Sequence, residues 1–408
     1  MRIATAGVLL AATAAWAEGL YDMPIGDLGR AQRTVELVLD AVTDCHTGEV
    51  IPPGELPRRL DGVRLLFVGE RHISAEFHAV ELRVLQELVR AGRTVAIGLE
   101  MYPYTEQRYL DQWSAGLLTE QGFVELSDWY DNWGYDWQYY REIFLFARDH
   151  GLPMHALNTP REVISAVRQK GFDDLTEEEA RHVPPAIDTD SDDHLRLFRA
   201  MLEEDSDEDF HAELPDEILR PMFDAQCTWD ATMAHHAVKA LAGGQADEIL
   251  VVLVGTGHLA YELGLQRQAR QWFDGRMATL IPISVGDECE PVHRVRASFA
   301  DFVWGVPEEP SPARPFLGLS TTADPESGRR KVIYVSTDSP AEAAGFAVGD
   351  LVLTLDGVEL ADQASLKRLT SAKQWGDTAR FTVARGGETI GLDLRFRRNR
   401  PEPCEGDE

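Results

Sequence analysis

Four side chains have the types and spacing to share one piece of chemistry: Glu70, His72, Glu100 and His258. The first two lie in Gly69-Glu70-Arg71-His72, and His258 closes a second Gly-x-x-His, Gly255-Thr256-Gly257-His258. Glu100 ends the run Ala96-Ile97-Gly98-Leu99-Glu100. Imidazole and carboxylate together suit a zinc, manganese or iron ion, with neutral histidine as ligand. They also suit metal-free hydrolysis, one histidine acting as a base oriented by a glutamate. The bland alternative is four buried polar groups bonded to backbone at strand ends. Convergence of all four favours a site.

Something must bring them together. Residues 63–68 and 249–254 are short apolar runs that end in glycine, which reads as strands buried on both faces. In a parallel sheet, ligands bind beyond the carboxyl ends of the strands. All four side chains leave the sheet at that edge. Strand and helix signals alternate from about 60 to 285. Ser74 reads as a helix cap with Glu76 in the first turn, and Phe77, Leu82, Leu85, Leu88 and Val89 repeat at helical spacing until Gly92. Residues 152–157 form a strand ending at Asn158, and 160–171 a helix. The acidic stretch 173–217 reads as a helical insertion with a solvated loop. A long helix, about 216–242, precedes the second Gly-x-x-His strand, and 279–285 is the last strand. The fold class is α/β: a three-layer, mostly parallel sheet domain followed by a small β-rich domain.

The organisation expected is a signal peptide at 1–17, an α/β domain at 18–306, a Pro-rich linker at 307–312, a β-rich domain at 313–398 and an acidic tail at 399–408. The signal rests on Arg2, an apolar stretch too short to span a bilayer, and Ala15-Trp16-Ala17 as a cleavage site. No lipid-attachment cysteine precedes the cut, so the mature chain is expected to be soluble, periplasmic or secreted, and not lipid-anchored. Net charge is −30, with 69 acidic against 39 basic residues, which argues against nucleic acid or anionic membrane as partner. Export permits disulfides. Of four cysteines, Cys45 and Cys289 are the preferred pair, Cys227 reads as a buried thiol, and Cys404 lies in the tail. Monomer and homodimer both stay open.

Residues 128–140 carry Trp129, Trp133, Trp137, Tyr130, Tyr135, Tyr139 and Tyr140. Such a segment offers apolar walls for a porphyrin and tyrosines to ligate iron. Packing of an amphipathic helix explains it equally well. Tyr102 and Tyr104 follow Glu100 directly and are further ligand candidates. Arg71, Asn158 and Arg161 suit a ligand carboxylate. Gln226 and Asp230, one turn apart, suit hydrogen bonds that steady the site. His78, His155, His235 and His236 read as structural.

Two resemblances sharpen this. The string Ser339-Pro340-Ala341-Glu342-Ala343-Ala344-Gly345, then Gly349-Asp350-Leu351-Val352-Leu353-Thr354-Leu355-Asp356-Gly357, resembles a PDZ domain of the bacterial HtrA type. By that resemblance Phe316-Leu317-Gly318-Leu319 is the loop that holds the carboxylate of a C-terminal peptide. The first domain resembles the ChaN family of haem-binding proteins. The matching segments are Gly69-Glu70-Arg71-His72, Gly98-Leu99-Glu100-Met101, Trp133-Gly134-Tyr135-Asp136-Trp137, Leu157-Asn158-Thr159-Pro160-Arg161-Glu162, Ala225-Gln226-Cys227-Thr228-Trp229-Asp230 and Gly255-Thr256-Gly257-His258. The resemblance implies haem as cofactor and a role in iron uptake, with Tyr102, Tyr104, Tyr130 and Tyr135 as candidates for the iron. The wider superfamily includes TIKI metalloproteases and erythromycin esterases. Their likeness keeps a zinc- or manganese-dependent peptidase or hydrolase in view, with Glu70, His72, Glu100 and His258 as metal ligands and catalytic groups.

Overall fold

The computed structural model describes residues 18–204, 215–286, 293–309, 313–325 and 327–397. The expected signal peptide, the acidic tail, Cys289 and Cys404 lie outside the described residues. Ten strands precede the linker: β1 (Thr34–Glu36), β2 (Val42–Asp44), β3 (Val50–Ile51), β4 (Val63–Glu70), β5 (Val95–Pro103), β6 (Met154–Asn158), β7 (Ile249–Gly255), β8 (Arg276–Ser284), β9 (Arg294–Arg296) and β10 (Phe302–Val306). Eight of them form one sheet in the order β3-β2-β10-β8-β4-β7-β5-β6. The six strands from β10 to β6 are parallel, and β2 and β3 add an antiparallel edge. The sheet thus runs past the expected last strand at 285. Strands β2, β3 and β10 are two to five residues long, too short to show a period.

Alternation of side chains explains the three layers. Leu66 and Val68 of β4 enter one apolar cluster, Leu65 and Phe67 the other; β7 divides Val251 and Leu253 from Val252 and Val254 in the same way. The helix Ala75–Arg90 covers the first face with Phe77, Val84, Leu85 and Leu88. Ser74 caps it by accepting from the Phe77 N–H. The helix Asp216–Gly243 covers the second with Met233, Ala234, Ala237 and Leu241. Among the described residues Cys45 and Cys227 are buried free thiols, and the partner expected for Cys45, Cys289, lies outside them. No helix among the described residues is long and apolar enough to cross a membrane.

Beyond the linker lies a separate antiparallel sheet: β11 (Leu319–Ala323), β12 (Arg330–Val335), β13 (Leu351–Leu355), β14 (Val358–Glu359), β15 (Thr378–Arg385) and β16 (Glu388–Arg395). Its edge strand is β11. Ser339 caps the helix Pro340–Ala344, which stops at left-handed Gly345. A second helix, Gln363–Ser371, escaped notice because Leu366 is its one buried residue.

The two units touch through specific bonds. Arg314 Nε lies 2.8 Å from the Asp136 carboxylate, and the Arg314 N–H donates to the Tyr139 hydroxyl. Arg314 Nη2 donates to the Ser371 carbonyl, and the Trp375 indole donates to Ala313 O. The helix Gln363–Ser371 packs on the short helix Trp129–Asn132.

Aromatic packing decides the shape of this region. Trp129 is fully buried among Tyr102, Trp137, Tyr140 and Phe144, and its indole N–H donates to the Tyr135 carbonyl at 2.7 Å. Truncation leaves a large cavity and an orphaned carbonyl. Trp129→Ala is expected to cost about 3–5 kcal/mol, read as a lowered midpoint in urea denaturation.

Candidate functional site

Inserting β7 between β4 and β5 builds the site. Glu70 pairs in register with Gly255, and Leu99 with Leu253, so β4 and β7 finish level and Glu100 of β5 stands one residue before that line. Glu100 Oε2 accepts the Gly255 N–H at 2.8 Å, and its backbone carbonyl accepts from Asn158 Nδ2. A methyl group at Gly255 would meet the His72 ring at 3.1 Å, so the close approach favours glycine there.

Two histidine–carboxylate pairs flank Glu100. His72 Nδ1 is 2.5 Å from Glu70 Oε1, and His258 Nδ1 is 2.5 Å from Asp230 Oδ1. His258 Nε2 reaches Glu100 Oε1 at 3.3 Å. Glu70, His72 and Glu100 can each offer a ligand atom within 4.8 Å of the others. Gln226 adds a contact to His258 Nδ1 at 3.0 Å. The four sequence candidates therefore meet, and Asp230, from the long helix, joins them. Carboxylates hold Nδ1 of both histidines, His258 Nε2 faces Glu100, and Glu70, His72 and Glu100 lie close enough together to share a divalent ion.

Charge within the site is divided. Burial opposes ionisation of Glu70, but the His72 hydrogen bond and the charges of His78 and His72 outweigh it and hold the carboxyl below its usual range. Glu100 is likewise held down against burial, by His258 and His72 and by the Gly255 N–H. Burial also opposes the charged form of His258, yet Glu100 and Asp230 raise it to about 10.

A further buried group was missed. His78 Nδ1 lies 2.7 Å from Glu81 Oε2 and 3.6 Å from Glu70 Oε2, and Tyr140 donates to Glu70 Oε1 at 2.9 Å. Burial, then the neighbouring Glu70 charge, lifts Glu81 well above the carboxylate range. Its signal was present: Glu81 lies four residues from both Phe77 and Leu85, on the apolar stripe of its helix.

The aromatic candidates separate. Tyr135 and Trp133 both touch His72, at centroid distances of 4.7 and 4.8 Å, and each other at 5.3 Å. Tyr102, by contrast, is fully buried and bonds Ser127 at 2.6 Å, so it is core and not cleft wall. Tyr104 stacks on His236 at 4.0 Å and bonds His182. Tyr130 faces the C-terminal unit, lining a groove with Arg368 and Ser371. Trp129, Trp137 and Tyr140 are packing residues. Arg161 donates to the Asn132 carbonyl at 2.6 Å, and Arg71 to Ser284. In the second unit, Phe316 packs on Trp375 and Leu317 joins the core. Gly318 has φ +76°, where a methyl group would strike Ser339, and Leu319 opens β11.

Comparison with known proteins agrees with this architecture. The family model described as haem-binding uptake, Tiki superfamily, ChaN matches residues 56–268. A PDZ domain model matches 315–395. The chain is similar in fold to ChaN of Campylobacter jejuni, a structure of cofacial haem binding. Identity is 15%, coverage 64% of this chain and 95% of that one, and TM-score 0.50. It is 26% identical over 212 residues to Protein RETICULATA-RELATED 5, chloroplastic, of Arabidopsis thaliana; the match covers 50% of this chain but only 28% of that protein's length. A serine endoprotease from Yersinia pestis matches at 25% identity over 21% of this chain and 29% of that one, with TM-score 0.19.

His258 makes the site pH-sensitive in a defined direction. Its pKa rises from 6.5 to about 10 on folding, so its stabilisation is full below the unfolded value and is lost as pH climbs through about 10. The stability gap between wild type and His258→Gln should be widest near about pH 6 and close towards about pH 10. Denaturant titrations across that range read it, and a gap that widens with pH contradicts the assignment.

Proposed function

The chain belongs to the ChaN family of haem-binding uptake proteins in the Tiki superfamily and carries a PDZ domain, and on that footing we propose that it is an exported haem-binding protein of iron acquisition, with the PDZ domain as a peptide-binding module. The observation that supports haem here is a cluster of three rings: the His72 imidazole, 19% exposed, touches both Trp133 and Tyr135. A porphyrin needs apolar walls and an axial donor. Trp133 and Tyr135 are the walls, and His72 or the Tyr135 hydroxyl is the donor. When bound, the iron-porphyrin supplies a flat apolar face and an iron that takes that donor. Glu70 fixes the orientation of His72.

A second reading has its own support. His72 and His258 are both backed by carboxylates, His258 faces Glu100, and Glu70, His72 and Glu100 lie within reach of one ion, which suits zinc or manganese in a peptidase or hydrolase. The ion would supply Lewis acidity. Ionised Glu70 or Glu100 would accept a proton from water.

Two measurements separate these readings. Titration of the purified protein with haem should give a saturable Soret shift, weakened at least about tenfold, or 1.4 kcal/mol, in Tyr135→Phe or His72→Ala. Tyr102→Phe and Tyr130→Phe should bind like wild type. Absence of a saturable shift removes the haem reading. Elemental analysis that finds stoichiometric zinc or manganese, lost in His72→Ala and His258→Ala, supports the hydrolase.

The PDZ module is tested independently. A C-terminal peptide would add as a strand beside the edge strand β11, its carboxylate at Phe316-Leu317-Gly318-Leu319. Free-acid peptides should bind more tightly than their C-amidated forms, and equal affinity counts against that loop as the carboxylate reader.

A further inference from the structure

The turn Asn132-Trp133-Gly134-Tyr135 carries two rings, Trp133 and Tyr135, that touch His72 and each other. Two cations from different domains stand against the same turn. Arg161 Nη2 lies 2.6 Å from the Asn132 carbonyl and 3.4 Å from that of Trp133. Lys367, from the PDZ helix Gln363–Ser371, lays its ammonium against Gly134, where a methyl group would sit 1.9 Å from Nζ. Gly134 is left-handed, with φ +88°, so both the backbone conformation and the lysine require its missing side chain.

We propose that Arg161 and Lys367 form a two-domain clamp for carboxylates, and that it holds the propionates of an iron-porphyrin whose ring lies against Trp133 and Tyr135. The proposal rests on the haem reading above. Among the described residues, neither cation has a carboxylate within salt-bridge distance, although many of the chain's other arginines do. Arg161 and Arg330 lie near enough to Lys367 to repel it, and Asp131 is the acid that opposes them. Burial and that repulsion lower the Lys367 ammonium to about 8, a cost that a bound anion would offset. Tyr135, the tyrosine of the wall, lies near enough to Arg161 to interact with it electrostatically. A porphyrin carries both its carboxylates on one edge of an apolar disc. Arginine can take one carboxylate through two parallel N–H bonds, and lysine the other as a point charge. The PDZ domain would then complete the haem site as well as read peptides.

Haem and its dimethyl ester, in which both propionate charges are blocked, test the clamp on the full-length protein. Wild type should bind haem at least about tenfold more tightly than the ester. Arg161→Ala and Lys367→Ala should each weaken haem by about that factor and leave ester binding and the saturated Soret maximum unchanged. Lys367→Arg should retain haem affinity. Variants that bind haem like wild type overturn the clamp, and so do variants that lose haem and ester equally. Wild type that binds neither porphyrin overturns the haem reading itself and the clamp with it.

Discussion

One hydrogen bond ties the site to the sheet: the Gly255 N–H to Glu100 Oε2, from the end of β7 to the end of β5. A carboxylate so deeply buried must find donors or give up its charge. Glu100 finds them in Gly255 and His258, and His258 in turn needs Asp230. The chain of dependence runs from strand register to carboxylate, from carboxylate to imidazole, and from imidazole to the long helix Asp216–Gly243. Shifting β7 by one residue would turn its apolar side chains to the wrong layers and remove the N–H that Glu100 uses.

The site is electrically graded. Its floor holds ionised Glu70 and Glu100 with Asp230 behind, and the protonated His258 offsets only part of that charge. Burial and the Glu70 charge push the Glu81 carboxyl well above the usual carboxylate range. The rim at Asn132-Trp133-Gly134 is basic, through Arg161 and Lys367. The overall charge of −30 hides this local arrangement.

Much of the fold was legible because apolar runs and glycines carry their physics locally. Residues 249–254 read as a strand and lie in β7, and the helix after Ser74 begins where its cap says. Glu70, His72, Glu100 and His258 could be brought to one edge because each follows a buried run, and parallel pairing aligns the ends of such runs. Side-chain direction was harder. Tyr102 stands two residues from Glu100 yet turns into the aromatic core to meet Ser127, a choice that packing makes and spacing does not record. His78 and Glu81 were passed over because polar residues on a helix usually face water, and only contact with Glu70 gives them a different meaning. Lys367 had no signal at all, since its place depends on how two domains meet.

The insertion of β7 also orders events in time. Before β7 joins, β4 and β5 cannot be joined through it, and Glu100 has to wait for a partner 155 residues away. Closing so long a loop is entropically slow, and unpaired edges of apolar strands invite association with other chains in the interval. The site is complete only once Gly255 is in place, because until then Glu100 lacks the N–H it uses. Whatever occupies the cleft binds the completed sheet in preference to its precursors, and so acts on the folding equilibrium as a lock on the finished domain.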